Sequence, residues 1–234
     1  NLMVGKELVP SIYEKVDKES EQVISLSHIS YHKENKHNGL NDVSLYVQKG
    51  EILGIAGVDG NGQSQLAQIA TGVIAPEEGE VCLHGSKVSK FTPKSFIDAN
   101  VSHIPEDRNP RGLNRLFSIG ENLVQVELTG APIIKGGMIN QAAINERAEV
   151  MIEKFDIRPA HGYLPTSALS GGNAQKVVVA REVNLGGKLL IASQPTRGVD
   201  IGGIESISKI IQEVKEKGLG VLLVSAELEE VMSL

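Results

Sequence analysis

Residues 169–182 read LSGGNAQKVVVARE, and the fold turns on how this stretch is built. Ser170 precedes two glycines, and the run after them sets Val177, Val178, Ala180 and Val183 on or near one face of a helix. The Ser-Gly-Gly opening leaves the first backbone N–H groups of that helix uncrowded and pointing outward, ready for an anion. A helix that simply uses serine as its N-cap is the plain alternative for these residues alone.

The flanks supply the frame. Downstream, KLLIA (residues 188–192) and GVLLVS (residues 220–225) read as strands buried on both faces, with Ile204, Ile207, Ile211 and Val214 marking one side of a helix between them. Upstream, Ile144, Ala148, Met151, Ile152 and Phe155 form one apolar stripe, and Asn140 is the expected N-cap of that helix. Nearer the N-terminus, Val43, Leu45 and Val47 alternate with polar neighbours as in a half-buried strand, and ILGIAG (residues 52–57) reads as a strand buried on both faces. A helix carrying Leu66 and Ile69 and closed by Gly72 follows, then a short strand within residues 79–85. This order describes an α/β domain with a largely parallel sheet and a helical lobe inserted at about residues 108–168.

Between strand and helix lies GVDGNGQS, with Gly57, Gly60, Asn61, Gly62, Gln63 and Ser64. It matches G-x-x-x-x-G-K-[ST] once Gln63 is accepted in the lysine position. Glycines let backbone N–H groups wrap a polyphosphate, and the helix start adds its positive dipole end. The missing ammonium forfeits a charged hydrogen bond worth about 1.5–3 kcal/mol. Such a loop is expected to hold a nucleotide weakly and to be poorly equipped for phosphoryl transfer. A dinucleotide fingerprint fails, because Gln65 stands in the place of its third glycine, while a purely structural glycine turn stays open.

Composition narrows the classes. The 234 residues are 41% apolar and 22% charged, as in a globular protein with a core. No apolar run is long enough to span a bilayer, and NLMVGKELVP lacks the features of a secretion signal. One cysteine, Cys82, excludes an internal disulfide and a cysteine-based zinc site and fits a reducing compartment. A net charge of 23 − 29 = −6 argues against coating nucleic acid. Aromatics are only 3%, and 25 glycines suggest many tight turns.

LSGGNAQKVVVARE resembles the signature motif of ATP-binding cassette (ABC) ATPases, and it follows a helical lobe as that family's motif does. The resemblance covers about residues 22–234 and implies a P-loop NTPase core with a mainly parallel sheet, an antiparallel β subdomain and the inserted lobe. It implies that Ser170, Gly171, Gly172 and Asn173 face the γ-phosphate of an ATP held by the opposite subunit. Tyr31 stands where the family has an adenine-stacking aromatic, an exposed strand-end tyrosine being the alternative. VSHIPEDR (residues 101–108) resembles the loop leading to the lobe, with Glu106 at the usual glutamine; Glu121, Asn122 and Leu123 resemble the start of the lobe's helices. KLLIASQPTRGVD (residues 188–200) resembles the strand bearing the magnesium-site aspartate and catalytic glutamate, here Ser193 and Gln194, followed by the dimer-contacting Asp200. Ala226 stands at the switch histidine.

Together, Gln63, Glu106, Ser193, Gln194 and Ala226 imply an own site that binds ATP without competent hydrolysis, Mg2+ being weak at Ser64 or absent. The wording is most similar to the second nucleotide-binding domain of fused two-cassette ATPases of bacterial sugar and nucleoside importers, with GEILGIAGVDGNGQSQL and QPTRGVD nearest the nucleoside branch. MVGK resembles the end of a first cassette, so residues 1–21 are expected to be its tail plus linker, and residues 22–234 a cassette ending short of the family's C-terminal helices. The implied partners are the preceding cassette, transmembrane permease subunits and, indirectly, a solute-binding protein, at the cytoplasmic face of the membrane and without nucleic acid. A working ATPase with unusual residues, a scaffold cassette that binds no nucleotide, and a soluble ABC ATPase of DNA repair or translation are the alternatives; net charge and MVGK argue against the last.

Overall fold

The computed structural model describes residues 20–32, 39–58, 60–127 and 132–234. Strands β1 (Gln22–Tyr31), β2 (Leu40–Gln48) and β3 (Ile52–Ala56) lead into helix α1 (Gln63–Ala70). Then come β4 (Glu78–Leu83), β5 (Ser86–Lys87), α2 (Pro93–Asp98) and β6 (Val101–Ile104). The middle region carries α3 (Ile119–Leu123), β7 (Ile134–Lys135), β8 (Met138–Ile139) and α4 (Gln141–Lys154). The remainder is α5 (Gly171–Asn184), β9 (Leu189–Ser193), α6 (Ile201–Glu216), β10 (Gly220–Ser225) and α7 (Leu228–Ser233). Residues 1–19, most of the stretch read as tail and linker, lie outside the described residues.

Two four-stranded sheets form the frame. One is parallel in the order β3-β10-β9-β6, the other antiparallel in the order β2-β1-β4-β5. β9 and β10 are buried along their whole length, as continuous apolar runs in a sheet covered on both faces must be. β3 departs from that expectation. It pairs with β10 alone, and Ile52, Leu53 and Ile55 are only half-buried because an edge strand has a flank without a neighbour. On one side α7 leans close, so that a Cβ at Gly54 would fall 2.4 Å from Val231 Cγ1. In β2, half-buried Val43 and Leu45 and buried Val47 alternate with exposed Ser44 and Tyr46, as their spacing predicts.

The inserted lobe is helical only in part. Asn140 caps α4 through the Ala143 N–H, and Ile144, Ala148, Met151 and Ile152 bury one stripe. A hairpin, β7–β8, interrupts the expected helices, with Gly136 and Gly137 at φ 61° and 80° forming its two-residue turn. In α6, Ile207, Ile211 and Val214 are buried as expected, but Ile204 in the first turn is exposed and lines a cavity. Among the largest fully buried side chains Phe96 is the one aromatic; isoleucine, leucine and methionine fill the rest, which is how a chain poor in aromatics closes its core.

Arg181 and Glu182 tie lobe to core. The buried Arg181 Nε donates to Glu182 Oε1 at 2.8 Å, and its Nη1 donates to the Gly112 carbonyl at 2.8 Å and to Gln125 Oε1 at 3.2 Å. Glu182 Oε2 accepts the backbone N–H of His103 in β6 at 3.1 Å. Removing one partner of a buried pair strands the other charge, which costs about 3–5 kcal/mol. Arg181→Ala is therefore expected to lower unfolding stability by that amount in urea titrations, far more than Arg158→Ala at an exposed pair.

Candidate functional site

Parallel register brings the strand ends to one edge. Ser225 lies opposite Ala56, Val224 opposite Ser193, and Ala192 opposite Ile104. The residues that follow these strands therefore converge, and the carboxyl edge of an open α/β sheet is where ligands bind. The Gln194 N–H donates to the Val224 carbonyl at 2.7 Å and the Gly57 N–H to the Ser225 carbonyl at 3.3 Å, extending the ladder into the loops.

Gly62 starts α1 at φ 94°, a backbone open to glycine, with no side chain capping the helix. Gln63 folds back across the loop. Its Nε2 donates to the Val58 carbonyl at 2.8 Å, and its Oε1 accepts the Asn61 N–H at 3.0 Å. A Cβ at Gly57 would fall 2.6 Å from that Nε2, so the glycine makes room for the glutamine. Ser64 Oγ donates to Glu106 Oε2 at 2.9 Å, and the Arg197 guanidinium holds the other Glu106 oxygen. Gln194, at φ 49°, accepts the Ala226 N–H on Oε1 at 3.2 Å. Ser193 Oγ is buried without a hydrogen-bond partner. Gly60, Gln63, Ser64, Glu106, Ser193 and Gln194 together line a cleft of about 110 Å³.

The motif of residues 169–182 forms a second group. Ser170 caps α5, its Oγ accepting from the Asn173 N–H at 3.4 Å and from Asn173 Nδ2 at 3.1 Å. Asn173 Oδ1 accepts the Arg158 N–H at 2.7 Å. Arg108 donates to the Arg197 carbonyl at 2.6 Å and to the Gly198 carbonyl at 3.4 Å; a Cβ at Gly171 would meet both Arg108 Nη2 and the Gly198 carbonyl at 3.0 Å. Asp200 caps α6 through the Gly203 N–H at 2.8 Å and stands beside Gly172. Ser170 to Asn173 and Asp200 thus adjoin one another, and none of them lines the cleft.

Tyr31 corrects the sequence expectation. Only 6% exposed and packed in the hydrophobic cluster beneath the antiparallel sheet, it is not the exposed tyrosine at a strand end that the sequence offers as the alternative. Arg108 and Arg197 carry little sequence signal of their own; each only adjoins a motif, in PEDR and PTRG. A larger cavity of about 600 Å³ shares Gln194 but is walled by α6 and α7, and its Glu227, Glu229 and Glu230 outnumber its one described cation, Arg197, which makes it a poor phosphate site. Among the described residues no helix is long and apolar enough to cross a membrane, and no three His, Cys, Asp or Glu side chains gather as metal ligands.

A family model described as "ABC transporter" matches residues 40–197. The chain is 38% identical over its whole length to the guanosine import ATP-binding protein NupO of Bacillus subtilis and 36% identical over 99% of its length to the nucleoside import ATP-binding protein NupA of Lactococcus lactis. It is also 36% identical over its whole length to the glucose import ATP-binding protein TsgD13 of Haloferax volcanii. It spans 46%, 46% and 43% of these relatives, about half their length. The dimeric structure of MJ0796, a bacterial ABC transporter cassette, superposes with a TM-score of 0.75 at 22% identity over 90% of each chain, and the ADP conformation of the cassette MJ1267 with 0.71 at 22% identity over 90% of this chain and 83% of that one. At that identity the likeness speaks for the fold alone: a parallel sheet, an antiparallel β subdomain and helices.

His103, in the strand leading to Glu106, gives a pH test of this architecture. Burial, followed by the nearby charges of Arg111 and Arg181, lowers its pKa from 6.5 to about 4. The unfolded chain then takes up a proton below pH 6.5 that the folded chain refuses until about pH 4, so this stability is lost as pH falls through that window. Thermal melts from pH 7 to pH 4 should show His103→Gln losing less stability than the unmodified chain, by up to roughly 3 kcal/mol.

Proposed function

The chain belongs to the ABC transporter family, and from that premise we propose that it is the second cassette of a two-cassette ATPase serving a nucleoside or sugar importer, with its own ATP site built to bind rather than to hydrolyse. The observation that carries the reading is Gln63. Its neutral amide lies folded into the glycine loop, where it takes up the Asn61 N–H and brings no positive charge to phosphate.

The residues present fit a polyphosphate. Gly60 lines the cleft, Gly62 takes the positive φ that starts α1, and the buried Ser193 Oγ is a polar group of the cleft without a hydrogen-bond partner in the protein. Bound Mg-ATP would supply the phosphoanhydride and a divalent charge. Ser64 is the hydroxyl for the cation. No carboxylate stands at Ser193 or Gln194 to orient that cation or to take a proton from water, and the Ala226 methyl cannot act as an acid or base. These absences remove the charges on which phosphoryl transfer depends.

The Ser170–Asn173 turn has the opposite character. Ser170 is exposed at the start of α5, and Arg108 fixes the turn against Gly198. This supports its role as the signature lent to the ATP of a partner cassette, with Asp200 beside it at the shared surface. Residues 1–21 are the tail and linker of that preceding cassette in this reading. The matches to guanosine, nucleoside and glucose import proteins favour an importer, which brings permease subunits, a solute-binding protein upstream of them, and a position at the cytoplasmic face of the membrane.

Calorimetry with Mg-ATP should detect binding by the chain, and phosphate release by the chain alone should stay at background. Paired with a lysine-bearing partner cassette, the chain should raise the partner's turnover, and Ser170→Arg should cut that stimulated rate by about 100-fold. Robust hydrolysis by the chain alone that vanishes in Gln194→Ala would favour the working-ATPase alternative. No Mg-ATP binding would leave a scaffold that lends only its signature.

A further inference from the structure

The Gln63 amide closes two contacts across the glycine loop at once. Its Nε2 donates to the Val58 carbonyl at 2.8 Å, and its Oε1 accepts the Asn61 N–H at 3.0 Å. These two partners fix which way the amide faces, since a flipped amide would set donor against donor and acceptor against acceptor. A lysine could copy only the first contact, because an ammonium has three donors and no acceptor. A glutamate could copy only the second, because its carboxylate would face the Val58 carbonyl. Glutamine has the length and the mixed donor and acceptor character for both.

The surroundings leave room for that amide. A Cβ at Gly57 would meet Gln63 Nε2 at 2.6 Å and Gln63 Cδ at 3.8 Å and, among the described residues, no other group within 4 Å. Close by, α1 starts at Gly62 without a side-chain cap, and Ser193 Oγ, in a residue only 5% exposed, lines the cleft with no hydrogen-bond partner in the protein. Those groups can meet a ligand's oxygens directly, whereas the Asn61 N–H is already bonded to Gln63. A charged oxygen makes a hydrogen bond roughly twice as strong as a neutral one does, so phosphate can displace the amide and a neutral acceptor cannot.

We propose that Gln63 is an internal occupant of the glycine loop, which competes with phosphate for the Asn61 N–H and must swing out before a nucleotide can bind. This rests on the reading of the cleft as a nucleotide site. It gives the residue at the lysine position a role opposite in sign to lysine's: the side chain holds the loop against its ligand and sets a threshold that only an anionic oxygen clears. Removing the amide therefore strengthens binding, although it removes a polar group from the site.

Calorimetric titration of the 234-residue chain with Mg-ATP tests this without any readout of turnover. Gln63→Ala is expected to bind about fivefold tighter than the unmodified chain, the worth of one competing neutral hydrogen bond, and Gln63→Lys tighter still. Gly57→Ala supplies a second test that leaves Gln63 in the sequence, because its methyl group displaces the amide. Without nucleotide, hydrogen exchange at the Asn61 amide should quicken in both Gln63→Ala and Gly57→Ala. A Gln63→Ala variant that binds Mg-ATP no more tightly than the unmodified chain overturns the proposal and leaves the nucleotide site standing. So does an Asn61 amide whose exchange is the same in all three chains. Binding of Mg-ATP by none of the unmodified chain, Gln63→Ala and Gln63→Lys overturns the proposal and the reading of the cleft together.

Discussion

Parallel pairing of β9 with β10 and β6, and of β10 with β3, is the constraint on which the rest of the molecule depends. Because the four strands run in one direction and in register, Gly57, Pro105, Gln194 and Ala226 all leave the sheet at the same edge. The buried runs LLIAS and GVLLVS hold the two central strands in place through apolar packing on both faces, so the loops beyond them inherit a rigid base. A shift of one residue in this register would turn the strand's side chains to the other face and carry Ser193 out of the cleft.

What stands at that edge is a site whose polar groups are largely occupied by one another. Gln63 takes the Asn61 N–H, Glu106 takes the Ser64 hydroxyl, and Gln194 takes the Ala226 N–H. A site arranged for transfer chemistry presents unspent charges to its substrate. Among the described residues that line the cleft, the one carboxylate is shared between a hydroxyl and a guanidinium, and the remaining contacts are neutral amides. The signature turn differs, with its helix start open to the outside and its glycines pressed against Arg108 and the Gly198 carbonyl. Two faces of one chain thus carry different duties in the proposed pair: one retains, the other completes a neighbour's site.

Much of this was legible in the sequence, for local reasons. The glycine loop announces itself because its conformation requires glycine, the central strands because they are apolar without interruption, and α4 because its stripe and its Asn140 cap coincide. Periodicity failed where tertiary position decides. The run ILGIAG looks like a central strand, but β3 sits at the sheet edge, and nothing in its composition records which neighbours it has. Tyr31, which the sequence offers as an adenine-facing aromatic by resemblance or as an exposed strand-end tyrosine, is 6% exposed and lies in the cluster beneath the antiparallel sheet, a burial that its position in the chain does not express. The β7–β8 hairpin carries a Gly-Gly turn signal that its very short strands obscure. The bridge from Ser64 through Glu106 to Arg197 joins residues 42 and 91 positions apart, a relation that spacing cannot express.

The central claim is that the cleft at this edge, and not the signature turn or the larger cavity beside α7, takes up nucleotide within the chain itself. Amide chemical-shift mapping of the 25.1 kDa chain with Mg-ATP addresses it residue by residue. The account predicts the largest shifts at Gly60 to Ser64 and at Glu106, with Asn61 foremost because its N–H must exchange Gln63 Oε1 for a phosphate oxygen. Shifts confined to Gly171–Asn173 or to the lining of the α7 cavity, with the glycine loop unmoved, would contradict it.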